Sequence, residues 1–188
     1  MTVTTLDAKA ALIVIDLQKG IVALPSVHPM EGVVWGAATL AEAFRAHGLP
    51  VVLVNVAGGA PGRTERPRAL GELPADWADL VPELNRQPQD HAVTKRTPGA
   101  FTNTGLEEFL ESSGVTQVVI VGVATSNGVE VTARQAYELG FNVTLATDAM
   151  TDMEEEAHAW SVKRVFPRIG ETGTTQEIIE LLERTARP

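Results

Sequence analysis

Residues 118–140 read VVIVGVATSNGVEVTARQAYELG. The first six are branched or small apolar residues, too short a run for a typical helix and suited to a buried strand. From Val129 the pattern changes to one of helical spacing, and Gly140 supplies a C-terminal stop. Between them lies ATSNG, a corner from strand to helix. Enzymes often set a nucleophile at such a corner, yet position 128 is glycine. Gly128 permits a positive φ or a close backbone approach. The turn also points the first amides of the helix toward whatever lies above the strand, where they can hold an oxyanion or a carboxylate. Thr125, Ser126 and Asn127 can assist, with capping of the helix as their competing role.

Working outward, the same kind of apolar run recurs at 10–15 (AALIVI), 51–56 (VVLVNV), 91–94 (HAVT) and 142–147 (NVTLAT). Helical patterns fall between most of them, at 31–47, 103–113, 129–139 and 152–164, with a last one at about 175–184. Alternating strands and helices imply a mostly parallel sheet covered on both faces, a three-layer α/β/α sandwich of Rossmann-like form. Right-handed crossovers place every strand's C-terminal end on one edge, where ligands bind near the switch in strand order. With no repeat, low-complexity tract or linker, one domain over 1–188 is expected.

The polar residues that end the strands are then the candidate site. Asp16 directly follows ALIVI and can act as an acid, a base or an orienting group, with a helix cap or loop hydrogen bond as the competing role. Lys95 follows HAVT. If the first and third strands converge, an Asp–Lys pair there can hold an anion or control a proton.

Composition narrows the chemistry. With 15 basic and 24 acidic residues the formal charge is -9, which disfavours a nucleic-acid surface. There is no cysteine, so thiolate catalysis, thiolate metal ligation and disulfides are excluded. Hydrophobic residues make up 44% of the chain and mean hydropathy is +0.04, as for a folded protein. Without a signal-like N-terminus or an apolar run long enough for a membrane, a cytoplasmic protein is expected. Neither GxGxxG after the first strand nor GxxxxGK[ST] occurs, so no nucleotide cofactor is expected. His28, His47, His91 and His158 form no compact ligand pattern, so no metal is expected either. His28 lies after the first strand and can approach the site, whereas His47 sits at a helix end. Trp35, Trp77 and Trp160 read as packing groups.

VIDLQKG near the start, VTKRTPGAFTNTGLEEFL in the middle and VVIVGVATSNGVEVTARQAYELGFNVTLATDAMTD later resemble, in order and spacing, the isochorismatase-like hydrolase superfamily. The resemblance runs from about residue 9 to residue 183. Many members hydrolyse amides with an Asp-Lys-Cys triad. By resemblance Asp16 and Lys95 take the first two positions, and Gly128 falls on the cysteine. Covalent amidase chemistry therefore loses its attacking atom. Isochorismatases proper resemble this chain in having glycine there, and they cleave a vinyl ether without an enzyme nucleophile. The resemblance thus implies a noncovalent hydrolase of a small metabolite, with Asp16 as general acid and isochorismate or an analogue as substrate. An amidase-like hydrolase using activated water and a noncatalytic small-ligand binder on the same scaffold are the alternatives. The turn itself is closer to the cysteine-hydrolase version. The resemblance further implies a pocket role for Gln18, a non-proline cis bond at Val123–Ala124, and a homodimer or larger homo-oligomer. Phe101, close after Lys95, is the expected pocket wall. The stretch PGRTERPRALGELPADWADL suits a substrate lid whose Arg63, Arg66 and Arg68, with Arg96 nearby, can meet a carboxylate substrate.

Overall fold

Branched residues dictate the sheet. In the computed structural model, which describes residues 3–65 and 73–185, strands form at Ala10–Ile15 (β1), Val51–Val56 (β2), His91–Lys95 (β3), Gln117–Val123 (β4) and Asn142–Thr151 (β5). A short sixth, Glu171–Gly173 (β6), completes one parallel sheet of order β3-β2-β1-β4-β5-β6. Every residue of β1 and β4 is buried, as expected where helices cover both faces.

Alternation along β1 divides the core in two. Ala10, Leu12 and Val14 pack under the helices Met30–Ala46 (α2, after the short α1 at Lys19–Val22) and Thr175–Thr185 (α6). Ala11, Ile13 and Ile15 pack on the other side, with Leu106–Ser112 (α3) and Glu130–Glu138 (α4). The result is a three-layer α/β/α sandwich. Full burial of each such Leu, Ile or Val contributes about 1.5–3 kcal/mol over exposure.

Strand order runs outward from β1 through β2 to β3, and from β4 through β5 to β6 in the opposite direction. The switch point is therefore the crevice between β1 and β4, at their C-terminal ends. β1 and β3 are not neighbours, because β2 lies between them.

Several element ends differ from expectation for local reasons. β5 runs past Asp148 to Thr151, because its pairing with β4 shifts register between Ile120 and Gly122 and then resumes. Asp148 instead accepts the Thr175 amide (2.8 Å), capping α6. α3 begins at Leu106 because Asn103 and Gly105 hold left-handed φ values of 56° and 74°. The helix expected over 152–164 starts at Glu155 (α5, Glu155–Trp160) and widens into a π turn at Ser161–Val165. His47 does sit at the end of α2, with Nδ1 against the Ala43 carbonyl at 2.8 Å. Trp35 and Trp160 are not packing groups: they are 69% and 64% exposed. Among the described residues, no helix is long and apolar enough to cross a membrane.

Candidate active site

β1 ends at Ile15, and Asp16 turns the chain with φ 53°. Left-handed φ disfavours most side chains but is tolerated best by Asp and Asn. Its amide donates to the Val54 carbonyl at 2.9 Å, which ties the turn to β2.

Lys95 is the last residue of β3. Two strand spacings, about 10 Å, separate its backbone from β1, a gap that calls for a long side chain. Its Nζ donates to Asp16 Oδ2 at 2.8 Å, to the Pro98 carbonyl at 2.8 Å and to the Thr97 carbonyl at 3.4 Å. Three donors thus meet three acceptors. The lysine and aspartate side chains are only 2% and 8% exposed. Gln18 is fully buried as well, but both ends of its amide are engaged by the protein. Oε1 accepts the Val56 amide (2.7 Å), and Nε2 donates to the Val56 and Trp77 carbonyls (3.1 and 3.2 Å). Gln18 therefore ties β2 and the segment around Trp77 to the end of β1.

The Val123–Ala124 peptide is cis, and Thr125–Val129 forms a π turn leading into α4. Gly128 does not adopt a positive φ; close approach is what requires glycine there. A Cβ at 128 would lie 3.0 Å from Ile15 Cγ2, 3.2 Å from the Val123 carbonyl and 3.3 Å from Asp16 Oδ2. Position 128 thus faces the Asp16–Lys95 pair directly.

The amides of the turn are less available than the corner suggests. That of Ser126 donates to Asp152 Oδ2 at 2.7 Å, and those of Asn127 and Val129 donate to the Ala124 carbonyl at 3.1 Å. These three amides are thus engaged within the protein. The Thr125 hydroxyl is also engaged, meeting His158 Nδ1 at 2.9 Å.

His158 is a site neighbour that sequence reasoning missed. It carries no motif, and its contact with Thr125 exists only because β5 returns α5 over the turn. His28 joins it, with ring centroids 4.6 Å apart, and its own Nδ1 lies 3.0 Å from Thr151 Oγ1. Partial burial pushes the His158 pKa down and His28 adds to that, against an upward pull from Asp152 and Glu155.

Other expected site residues lie elsewhere. The Phe101 ring packs toward Phe141 (centroids 6.2 Å) on the core side of α3 and α4. Phe141 precedes β5, at the sheet edge opposite Asp16, so Phe101 does not wall the pocket. Arg96 is exposed and donates to the Ala57 carbonyl at 2.9 Å, and Arg63 is exposed. Arg66 and Arg68 lie outside the described residues. His91 stacks on Phe109 with centroids 3.7 Å apart, and burial pushes its pKa down. Among the described residues, no group of three or more His, Asp or Glu is placed to hold a metal ion.

A carboxylate–ammonium pair at the switch point, set against a strand-to-helix turn entered through a cis peptide, is the arrangement of the isochorismatase-like hydrolases, here without a thiol. The chain belongs to this family: the isochorismatase domain model matches residues 10–177. It is 43% identical over 179 residues to the uncharacterized isochorismatase family protein YwoC of Bacillus subtilis, covering 92% of this chain and 93% of that one. An isochorismatase family protein from Burkholderia thailandensis superimposes with a TM-score of 0.91 at 39% identity, covering 95% of this chain and 98% of its own. Enterobactin synthase component B of Escherichia coli is 27% identical over 187 residues, which span 91% of this chain and 62% of that protein.

Proposed function

We propose that the protein hydrolyses a small enol ether without a covalent intermediate, with isochorismate or an analogue as substrate. The observation that carries this reading is the buried Asp16–Lys95 pair at 2.8 Å facing a position that bears only hydrogen. An acid is held in place, and the position from which a nucleophile would attack has no side chain.

In this reading Asp16 delivers a proton to the methylene carbon of the enolpyruvyl group. The ether carbon becomes oxocarbenium-like, and water adds to it. The resulting hemiketal collapses to pyruvate and the ring alcohol, and the proton released by water restores the acid. One water is consumed, and no redox partner is needed. Lys95 orients the Asp16 carboxyl group. Substrate and the attacking water approach Asp16 from the side of the Thr125–Val129 turn, with the Gly128 amide as a donor. The name of the matched domain supports the choice of substrate.

The test is pyruvate release from isochorismate by the parent protein beside Asp16→Asn. Release by the parent and its loss in the folded variant is the expected result. Release of ammonia or an amine from amide substrates, with no pyruvate from isochorismate, would transfer the site to amidase chemistry with activated water. Saturable ligand binding without turnover would make the chain a binding protein.

A further inference from the structure

Thr132 is fully buried in α4, and its hydroxyl makes two hydrogen bonds. It donates to the Gly128 carbonyl, four residues back, at 2.6 Å. It accepts the Ala100 amide at 3.1 Å. The first bond alone is ordinary, since threonine often returns its proton to the i−4 carbonyl of its own helix. The second crosses to another segment, the loop 97–102 between β3 and α3. Three residues on, along the same helix face, Gln135 holds that loop too. Its Oε1 accepts the Phe101 amide at 3.2 Å, and its Nε2 donates to the Thr102 hydroxyl at 2.8 Å. The approach is so close that a Cβ on Gly99 would collide with the Gln135 amide.

The clamped loop is the one that aims Lys95. Its Thr97 and Pro98 carbonyls accept from Nζ beside Asp16 Oδ2, and Ala100 follows Pro98 by two residues. At the other end of the Thr132 hydroxyl, a Cβ on Gly128 would lie 3.3 Å from Asp16 Oδ2. The contacts therefore run in a ring: Asp16, Lys95, the loop, Thr132, Gly128 and Asp16 again. One hydroxyl joins the loop that holds the ammonium to the turn that adjoins the carboxylate. Thr144 offers a contrast. It is equally buried and accepts Gln117 Nε2 at 2.9 Å, but it stands near the N-terminal edge of the sheet, away from the site.

We propose that Thr132, with Gln135 on the same loop, is a positioning residue for the Asp16–Lys95 pair. The proposal rests on the reading of that pair as the reacting groups. A lysine ammonium on its flexible stem is aimed by the acceptors it meets. Here two of those acceptors keep their places because the amides that follow them are held by α4. A loop released from Thr132 would re-aim Nζ and, through it, the carboxyl group that delivers the proton.

Thr132→Val, Thr132→Ser, Gln135→Leu and, as a control, Thr144→Val test this, with thermal melts to confirm folding. The first readout is pyruvate release from isochorismate. The second is the rate at which acetic anhydride acetylates Lys95, followed by peptide mass spectrometry, with the exposed Lys9, Lys19 and Lys163 as internal references. Thr132→Val should lower kcat about 10- to 100-fold and leave KM within about threefold, since aim is lost rather than binding. Lys95 acetylation should quicken at least about tenfold, as the loop opens more often with two buried groups unpaired. Thr132→Ser keeps the hydroxyl and should stay within about threefold of the parent in both readouts. Gln135→Leu should move both in the same direction as Thr132→Val, by about threefold. Thr144→Val should lower the melting temperature and move neither. Thr132→Val with parental kcat or parental Lys95 acetylation overturns the proposal. So does Thr132→Ser as impaired as Thr132→Val, or Thr144→Val shifting Lys95 as far. If Thr132→Val does not fold, parental Lys95 acetylation in Gln135→Leu overturns it. A parent that releases no pyruvate sinks the enol-ether reading by itself. The acetylation rates then still decide the positioning role: a rise in Thr132→Val alone supports it, and no rise overturns it.

Discussion

The Asp16–Lys95 pair and the Arg45–Asp90 pair have similar lengths, 2.8 and 2.7 Å, and both are largely withdrawn from water. Their surroundings differ in kind. Arg45 meets Asp90 through two nitrogens, Nε at 3.0 Å and a second at 2.7 Å, and also donates to the Leu84 carbonyl. Asp90 in turn accepts the Gln87 amide. That pair is a clasp between the end of α2 and the loop before β3. The Asp16 pair sits on a left-handed residue at the switch point and faces the one glycine of the ATSNG corner. Burial and length therefore do not separate the proposed catalytic pair from a structural one. Position in the topology does.

The largest effect that would break this contrast is on turnover. Asp16→Asn keeps a side chain that tolerates left-handed φ and can still accept from Lys95, so the fold should survive. Loss of the acid should lower kcat by about 10²- to 10⁴-fold, read as pyruvate release. The mirror experiment is Asp90→Ala. It leaves the Arg45 guanidinium buried without its partner and should cost about 3–5 kcal/mol of stability, measured by denaturant unfolding. Turnover per folded molecule should be unchanged. A large fall in that turnover would erase the distinction between the two pairs.

Gly128→Ala sharpens the same contrast at a smaller scale. The added methyl would press on Ile15, which is fully buried, and on Asp16 Oδ2, which Lys95 holds. Neither neighbour can yield easily, so a cost of about 1–3 kcal/mol is expected, with turnover reduced as well. A variant with parental turnover would mean that crowding at 128 does not disturb Asp16.

These pairs also show where the sequence is legible. β1, β2, β4 and the start of β5 stand out because buried parallel strands are short runs of branched residues. β6 does not, since Glu171, Thr172 and Gly173 become a strand only by pairing with Thr144–Ala146. Asp16 and Lys95 are visible as polar residues ending apolar runs. Their meeting across β2 depends on strand order, which no local pattern carries. Gly128 is noticeable as an absent side chain, but the reason for it, crowding rather than a left-handed φ, is a matter of distances. The Ser126 amide looks available until Asp152, 26 residues later, is found to accept from it. Phe101 misleads for a related reason: proximity to Lys95 in sequence says nothing about which edge of the sheet its ring faces.

The smallest predicted effect distinguishes the two regions by pH. His91, next to Asp90, and His158, against Thr125, both have pKa values pushed below the ordinary 6.5, chiefly by burial. A folded pKa below the unfolded one means that the unfolded chain binds more protons in the window beneath 6.5. Stability therefore rises with pH there, is fully present above 6.5, and declines as pH falls toward the depressed folded values. Denaturant midpoints should thus drop between pH 7.5 and 5.5, and His91→Phe or His158→Gln should each flatten that slope. Only His158 adjoins the turn that faces Asp16, where its charged form would stand against His28 and force both ring nitrogens to be donors. If the proposed hydrolysis holds, His158→Gln should alter the acid limb of the turnover profile, and His91→Phe should leave it in place. A shift of that limb in His91→Phe would show that the clasp at Asp90 reaches the chemistry after all.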